Sequence, residues 1–72
     1  MDIGNAVEAL RAHLRVRRAG WNGKAMWLEL QEPDAQSKMT GSYVYLTTGP
    51  NLRFPWTCSQ SDLLAVDWEL AP

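Results

Sequence analysis

Cysteine and histidine are almost missing from this chain of 72 residues, which excludes several ways of stabilising and using a small protein. Cys58 is the only cysteine and His13 the only histidine. One cysteine cannot form an intrachain disulfide, and the two residues together fall far short of a structural zinc site. A domain this short buries only about 60% of its unfolded surface. We therefore expect its stability to depend on a second chain.

Long apolar runs and an excess of one charge are also missing. No stretch approaches the roughly 20 apolar residues of a membrane span, and no secretory segment follows the N-terminus, so we expect a soluble, unsecreted protein of a reducing cytosol. Seven basic and eight acidic residues give a formal charge of −1. That balance argues against long nucleic acids as partners. Five of the seven basic residues fall between positions 11 and 24, which favours a small anionic ligand.

The basic segment ends in the most informative stretch of the sequence. Arg17 and Arg18 lead through Trp21 to the dipeptide Asn22-Gly23 and to Lys24. Asn-Gly is the strongest signal for a two-residue hairpin, because both residues tolerate the positive φ of a type I′ turn. The pattern predicts a hairpin tip that holds an aromatic ring beside several positive charges. Such a tip suits a ligand with phosphates and a flat ring.

Apolar periodicity predicts an α+β fold in a single domain, residues 1–72. Asp2 can cap a helix from Ile3 to about His13, packed on a curved antiparallel sheet of four or five strands. The predicted strands are residues 15–19, at an edge of the sheet, and residues 24–30, 42–48, 52–54 and 67–70. The predicted core is Ile3, Val7, Leu10, Met26, Leu28, Leu30, Val44, Leu46 and Leu64.

The opposite face of the predicted sheet carries Trp27, Tyr43 and Tyr45. Three large rings would form an unusually large exposed apolar patch on so small a domain. We therefore expect another copy of the chain to cover them, which agrees with the expectation from chain length.

A second group of candidate residues surrounds a short helix near the C-terminus. Ser59 followed by Asp62 resembles a capping box with aspartate in place of glutamate. Capping alone accounts for both residues, whereas a ligand role would have Ser59 hold an anion or ribose and Asp62 hold a ribose hydroxyl or a base edge. Trp56 is suited either to a second wall of the pocket or to the core. Both interpretations stay open.

Two segments together carry a family resemblance: Gly20-Trp21-Asn22-Gly23-Lys24 and Asp62-Leu63-Leu64-Ala65-Val66-Asp67-Trp68. With the N-terminal helix, they resemble the phage Thoeris anti-defence family, second type. The resemblance implies a small sponge that captures the cyclic nucleotide immune signal glycocyclic ADP-ribose in the host cytoplasm, and in some members cyclic oligonucleotides. It implies a non-enzymatic protein, without cofactor or metal, in a two-fold symmetric dimer or tetramer.

Three other functions compete with the sponge, one of them the binding of single-stranded nucleic acid by the arginines and aromatic residues. A protein-interaction module of a phage would use the exposed aromatic face together with Trp56 to bind a peptide or a virion protein. A nucleotide-cleaving enzyme would need a positioned base and nucleophile or a metal set, and the sequence offers no such arrangement for Cys58. Residues expected to bind the ligand are Arg17, Arg18, Trp21, Asn22, Lys24, Trp56, Ser59 and Asp62.

Overall fold

The computed structural model, which describes residues 1–21 and 25–72, has the predicted α+β architecture. Its five strands form one open antiparallel sheet in the order β4-β3-β2-β1-β5. The predicted turn at Asn22-Gly23 and Lys24 lies outside the described residues. The elements are α1 Ile3–Arg11, β1 Val16–Arg18, β2 Trp27–Gln31, β3 Tyr43–Thr48, β4 Leu52–Pro55, α2 Gln60–Leu64 and β5 Trp68–Leu70.

Helix α1 begins where the sequence predicts and ends earlier. The Asp2 side chain accepts a hydrogen bond from the Asn5 amide at 2.9 Å, and the Asn5 side chain accepts one from the Asp2 amide at 3.2 Å. This reciprocal pair satisfies two amides that the helix itself leaves unbonded. The helix ends at Arg11 because His13 adopts a φ of 63°, which turns the chain toward β1. None of the described helices is long and apolar enough to cross a membrane.

Strand β1 lies inside the sheet, so the prediction of an edge strand was wrong. It pairs with β2 through Val16 and Leu28, and along its whole length with β5. The pairing continues beyond β5, where the Ala71 amide donates to the Arg15 carbonyl at 2.9 Å. The returning C-terminal strand takes the place next to β1, and Val16 becomes fully buried. Local sequence could not reveal this, because the pairing joins residues about 50 positions apart.

The helices lie on one side of the sheet, which we call the helix side, and leave the other side, the open side, uncovered. Helix α1 packs on β1, β2 and β5. The fully buried apolar core is Ala6, Leu10, Val16, Leu28 and Trp68. Two residues of the predicted core are instead exposed, Val7 at 37% and Leu64 at 76%. Helix α2 has only five residues and directs Asp62, rather than Leu64, into the protein.

Strands β3 and β4 extend beyond the cover of α1, so apolar side chains of β4 are exposed. Leu46 pairs with Phe54, and Thr48 pairs with Leu52. Because β-strand side chains alternate between faces, these residues share the helix side with Leu28. Leu52 is 53% exposed and Phe54 is 51% exposed. The helix side of β4 is therefore an apolar surface that the described residues leave half exposed.

Candidate functional site

Three of the four tryptophans meet on the helix side, next to α2. Trp68 lies at the centre and is only 2% exposed. The half-buried Trp21 packs edge-on against it, with ring centroids 5.5 Å apart, and the half-buried Trp56 does the same at 6.0 Å. Edge-to-face packing is a favoured aromatic geometry, so these contacts hold both outer rings in place. We call the group formed by Arg18, Trp21, Trp56, Asp62, Asp67 and Trp68 the Trp21 cluster.

Asp62 is the polar centre of the Trp21 cluster. Its Oδ1 accepts hydrogen bonds from Arg18 Nη1 at 2.9 Å and from Trp21 Nε1 at 3.3 Å. Its backbone carbonyl accepts a third from Trp68 Nε1 at 3.0 Å. Burial is the largest single influence on the pKa of this carboxyl and raises it. The hydrogen bonds that the carboxyl accepts, first of all the one from Arg18, together outweigh burial, so the pKa of Asp62 lies below its ordinary value. Asp62 is therefore a charged group that aligns an arginine and two indoles.

Ser59 caps the N-terminus of α2 and thereby positions the backbone of Asp62. The Ser59 hydroxyl accepts a hydrogen bond from the Asp62 amide at 3.1 Å, which confirms the predicted cap. The Asp62 side chain, in contrast, bonds to Arg18 and Trp21, so this segment is no ordinary capping box. Ser59 and Asp62 act here in the packing of the Trp21 cluster. Their predicted contacts with a ligand stay predictions.

Asp67 fastens the chain that leads into residues 22–24. Its Oδ1 accepts from Arg18 Nε and its Oδ2 from the Gly20 amide, both at 2.8 Å. Its carbonyl accepts from the Ala19 amide at 3.0 Å. The bond from Arg18 is the main cause that lowers the pKa of Asp67, and the same bond raises the pKa of Arg18. Sequence reasoning missed this role, because only the pairing of β1 with β5 brings Asp67 to the start of the segment.

The structure brings five of the predicted site residues together and separates one. Arg17 lies on the open side, where its Nε donates to Glu69 Oε2 at 2.9 Å. Arg17 and Arg18 are adjacent in β1, and adjacent strand residues point to opposite faces. The prediction that both arginines converge on one tip was therefore wrong. Asn22 and Lys24 lie outside the described residues. The residues brought together are Arg18, Trp21, Trp56, Ser59 and Asp62.

The open side carries a second group of aromatic and charged side chains. Arg15 Nε donates to Glu29 Oε1 at 2.8 Å, and its guanidinium lies 4.7 Å from the centre of the Trp27 ring. The Tyr45 hydroxyl donates to the other oxygen of Glu29. Arg53 lies 5.8 Å from the Tyr45 ring centre. We call Arg15, Trp27, Glu29, Tyr45 and Arg53 the open-face cluster.

The open-face cluster differs from the bare aromatic face that the sequence predicts. Arginines lie over Trp27 and Tyr45, which are half-buried, while Tyr43 is 40% exposed. Trp56, which a protein-interaction surface was expected to include, lies on the helix side against Trp68. The three rings predicted for this side of the sheet therefore do lie on it, and Trp56 packs on the helix side instead.

Nothing among the described side chains is arranged as a metal centre. Within residues 1–21 and 25–72, no three His, Cys, Asp or Glu residues are grouped so that they could hold a metal ion. Burial, followed by the charge of Asp62, raises the pKa of the Cys58 thiol. A raised pKa keeps the thiol protonated and makes it a poorer nucleophile at neutral pH.

Comparison with known proteins gives two findings that agree with each other. Residues 1–71 match the family model described as the Thoeris anti-defense 2-like domain. The chain is also 34% identical to a protein of Bacillus phage SP01 called Thoeris anti-defense 2, over an alignment of 83 positions. That alignment covers 97% of this chain and 93% of the phage protein. The match therefore extends over both proteins almost in full.

Proposed function

The chain belongs to the Thoeris anti-defense 2-like family, and we propose that it acts by binding and sequestering glycocyclic ADP-ribose without cleaving it. Family membership supports the anti-defence role, and the Trp21 cluster supports the mode of action. The cluster offers a supported aromatic ring and an oriented guanidinium at the start of residues 22–24. The proposed setting is the cytoplasm of the infected host.

The observation that carries the proposal is the support of the Trp21 ring. Trp68 contacts the ring edge-on and Asp62 accepts its N–H, so the ring is fixed without a ligand. Trp21 nevertheless remains only half-buried, which leaves part of its surface free for an adenine base. Stacking on an aromatic side chain contributes about 1–3 kcal/mol per base. A ring fixed in advance loses little conformational entropy on binding, so more of that energy appears as affinity.

The charges of the cluster indicate what else the site needs. Arg18 lies between Asp62 and Asp67, so the three side chains together carry a net charge of −1. The remaining guanidinium nitrogen, Nη2, donates to none of the described residues and can still donate to a phosphate. A diphosphate ligand requires further positive groups. We propose that Lys24 supplies one and that a second copy of the chain supplies others.

The second copy has a suitable surface to cover. Leu52 and Phe54 expose apolar side chains on the helix side of β4, the same side as the Trp21 cluster. A groove of about 430 Å³ lies along Trp56, with Met39, Tyr43 and Pro55 among its lining residues. Ligand pockets of roughly 300–1,000 Å³ are common. We propose a two-fold symmetric dimer or tetramer in which the neighbouring chain closes the site.

Sequestration works by mass action. With an affinity near 1 nM, about −12 kcal/mol, a sponge in excess over the signal lowers free signal below the level that its receptor needs. Cleavage is unnecessary, and the ligand should be recovered unchanged. We propose cyclic oligonucleotides, which share the base and phosphate chemistry, as further ligands of the same site.

Isothermal titration of the purified chain with glycocyclic ADP-ribose tests the proposal. We expect tight binding and recovery of the intact ligand by chromatography after heat denaturation. Trp21→Ala should weaken binding by about 10- to 100-fold, which corresponds to the loss of one stacking contact. Trp27→Ala, on the open side, is the matched control and should bind as the native chain does. Absence of binding by the native chain refutes the proposal, and recovery of a new product identifies an enzyme.

A further inference from the structure

The segment just before residues 22–24 is hydrogen-bonded to Asp67, which lies almost 50 positions later in the chain. Asp67 accepts hydrogen bonds from the Gly20 amide and from Arg18 Nε with its two carboxylate oxygens, and from the Ala19 amide with its carbonyl. Three consecutive residues are thus bonded to a single aspartate. The next residue is Trp21, whose own amide donates to the Arg18 carbonyl at 3.2 Å. The position of Trp21 therefore depends on the position of Asp67.

Gly20 is fitted to this contact by its size. A Cβ atom at Gly20 would lie 2.9 Å from Asp67 Oδ2, closer than real Cβ contacts allow. Its φ is not in the left-handed region, because none of the described glycines has a positive φ. Conformational freedom therefore does not explain glycine at this position. The close approach of the Asp67 carboxylate does.

Two carboxylates accept hydrogen bonds from different nitrogens of Arg18. Asp62 holds Nη1 and also accepts the Trp21 N–H, whereas Asp67 holds Nε and the backbone at Gly20. Loss of Asp67 would leave Arg18 able to rotate toward Asp62 alone and would free the backbone before Trp21. The expected consequence is a displaced Trp21 ring in a domain whose core residues are unchanged.

We propose that Asp67 is a positioning residue, which holds Gly20 and Arg18 so that Trp21 is set for ligand capture. The ligand half of this statement rests on the proposed function. The positioning half is a claim about the free protein and can be tested without a ligand. Asp67 itself need not touch the ligand.

A double-mutant cycle of Asp67→Ala and Gly20→Ala tests the proposal. In the native background, Gly20→Ala forces the methyl group against the carboxylate, and we expect each single variant to weaken ligand binding by about tenfold or more. In the Asp67→Ala background the methyl group no longer meets a carboxylate. Adding Gly20→Ala should therefore weaken ligand binding by less than about a further twofold. If the double variant loses binding by the product of the two single fold-losses, the two residues act independently and the proposal is overturned.

The indole N–H resonance of Trp21, assigned with Trp21→Phe, provides a readout that needs no ligand. It should shift and broaden in Asp67→Ala, while the resonance of buried Trp68 stays in place and shows that the domain is folded. Glu29→Ala is the matched control, because Glu29 also accepts two donors, one of them an arginine, but on the open side. An unchanged Trp21 resonance in Asp67→Ala overturns the proposal. Failure of the native chain to bind, with the resonance displaced, refutes the proposed function and leaves Asp67 confirmed as a positioning residue.

Discussion

Two clusters with the same ingredients lie on opposite sides of one sheet. The Trp21 cluster and the open-face cluster each combine a tryptophan, a carboxylate and an arginine. In the first, the carboxylate of Asp62 accepts from both Arg18 and the Trp21 indole. In the second, Arg15 bonds to Glu29 but lies over the face of Trp27. The same residue types therefore interact in two ways: the indole N–H bonds to the carboxylate in the first cluster, and the indole ring lies under the guanidinium in the second.

The two sides of the sheet also differ in whether their buried polar groups have hydrogen-bond partners among the described residues. Each indole N–H of Trp21 and Trp68 has an acceptor. On the open side, Trp27 Nε1 and Thr47 Oγ1 are buried without a hydrogen-bond partner among the described residues. A buried polar atom without a partner costs about 1–3 kcal/mol. The Trp21 cluster is thus organised in advance, while the open side of the sheet holds two polar atoms without a partner among the described residues.

The largest expected contrast comes from truncating one tryptophan on each side. Trp68→Ala removes the fully buried centre of the Trp21 cluster and should lower the free energy of unfolding by about 3–5 kcal/mol, which could unfold so small a domain. Trp27→Ala removes a half-buried ring and should cost roughly half as much. Urea unfolding followed by circular dichroism measures both. Equal losses would mean that the two sides contribute alike to the core.

Acid should affect both clusters in the same direction. In Asp62 and in Glu29, burial raises the pKa and hydrogen bonds lower it, with a net pKa below the ordinary value in each. A carboxylate with a lowered pKa stabilises the fold above its ordinary pKa, and this stability is lost as pH falls through the folded value. We therefore expect constant stability from pH 7 to about 5 and a decrease below about 4.

Amide variants separate the two contributions to this acid sensitivity. Asp62→Asn and Glu29→Gln should each be less stable than the native chain at pH 7, with a difference that shrinks toward pH 3. Urea unfolding at a series of pH values provides the measurement. For Asp62→Asn the loss should be accompanied by changed Trp21 fluorescence, which Glu29→Gln should not show. A difference that stays constant with pH would mean that the carboxylate charge contributes no stability.

A smaller contrast concerns the indole N–H groups alone. Trp21→Phe keeps an aromatic ring but removes the donor to Asp62, so it should cost about 0.5–1.5 kcal/mol for the lost hydrogen bond. Trp27→Phe removes a donor that has no described partner. The stability lost with the smaller ring and the stability gained by removing the unpaired N–H should therefore nearly cancel. Thermal unfolding of the two variants decides between these outcomes. A larger loss for Trp27→Phe would indicate an acceptor that the static contacts do not show.

Sequence patterns predicted the elements of this fold much better than their arrangement. The Asp2 cap, the alternation around Leu28 and the Ser59 cap are local signals, and the structure confirms the helices and strands that they predict. The position of β1 beside β5 depends on contacts between distant residues. For that reason the sequence misplaced β1 at an edge and missed Val16 as a core residue.

The candidate site shows the same limit. Trp21, Ser59 and Asp62 were identified from local signals, and family resemblance, which the comparisons confirm, joined them to one function. Arg17 was grouped with Arg18 because they are neighbours in sequence, although a strand sends them to opposite faces. The sequence pattern places Asp67 in the last strand and indicates no further role for it. Its contact with Gly20 follows from the β1–β5 register alone, which no spacing in the sequence reveals.

The smallest expected effect is also the most direct test of the incomplete open side. Thr47 is 1% exposed, and its hydroxyl has no partner among the described residues. Thr47→Val replaces that hydroxyl with a methyl group of similar size, so it should leave stability unchanged or raise it by up to about 1 kcal/mol. Thr48→Val, next to it and half-exposed, is the matched control and should gain nothing, since its hydroxyl can reach water. Thermal unfolding measures both variants. A clear loss of stability in Thr47→Val would show that the hydroxyl is bonded after all, for instance to a bound water shared with Trp27, and both sides of the sheet would then be equally complete.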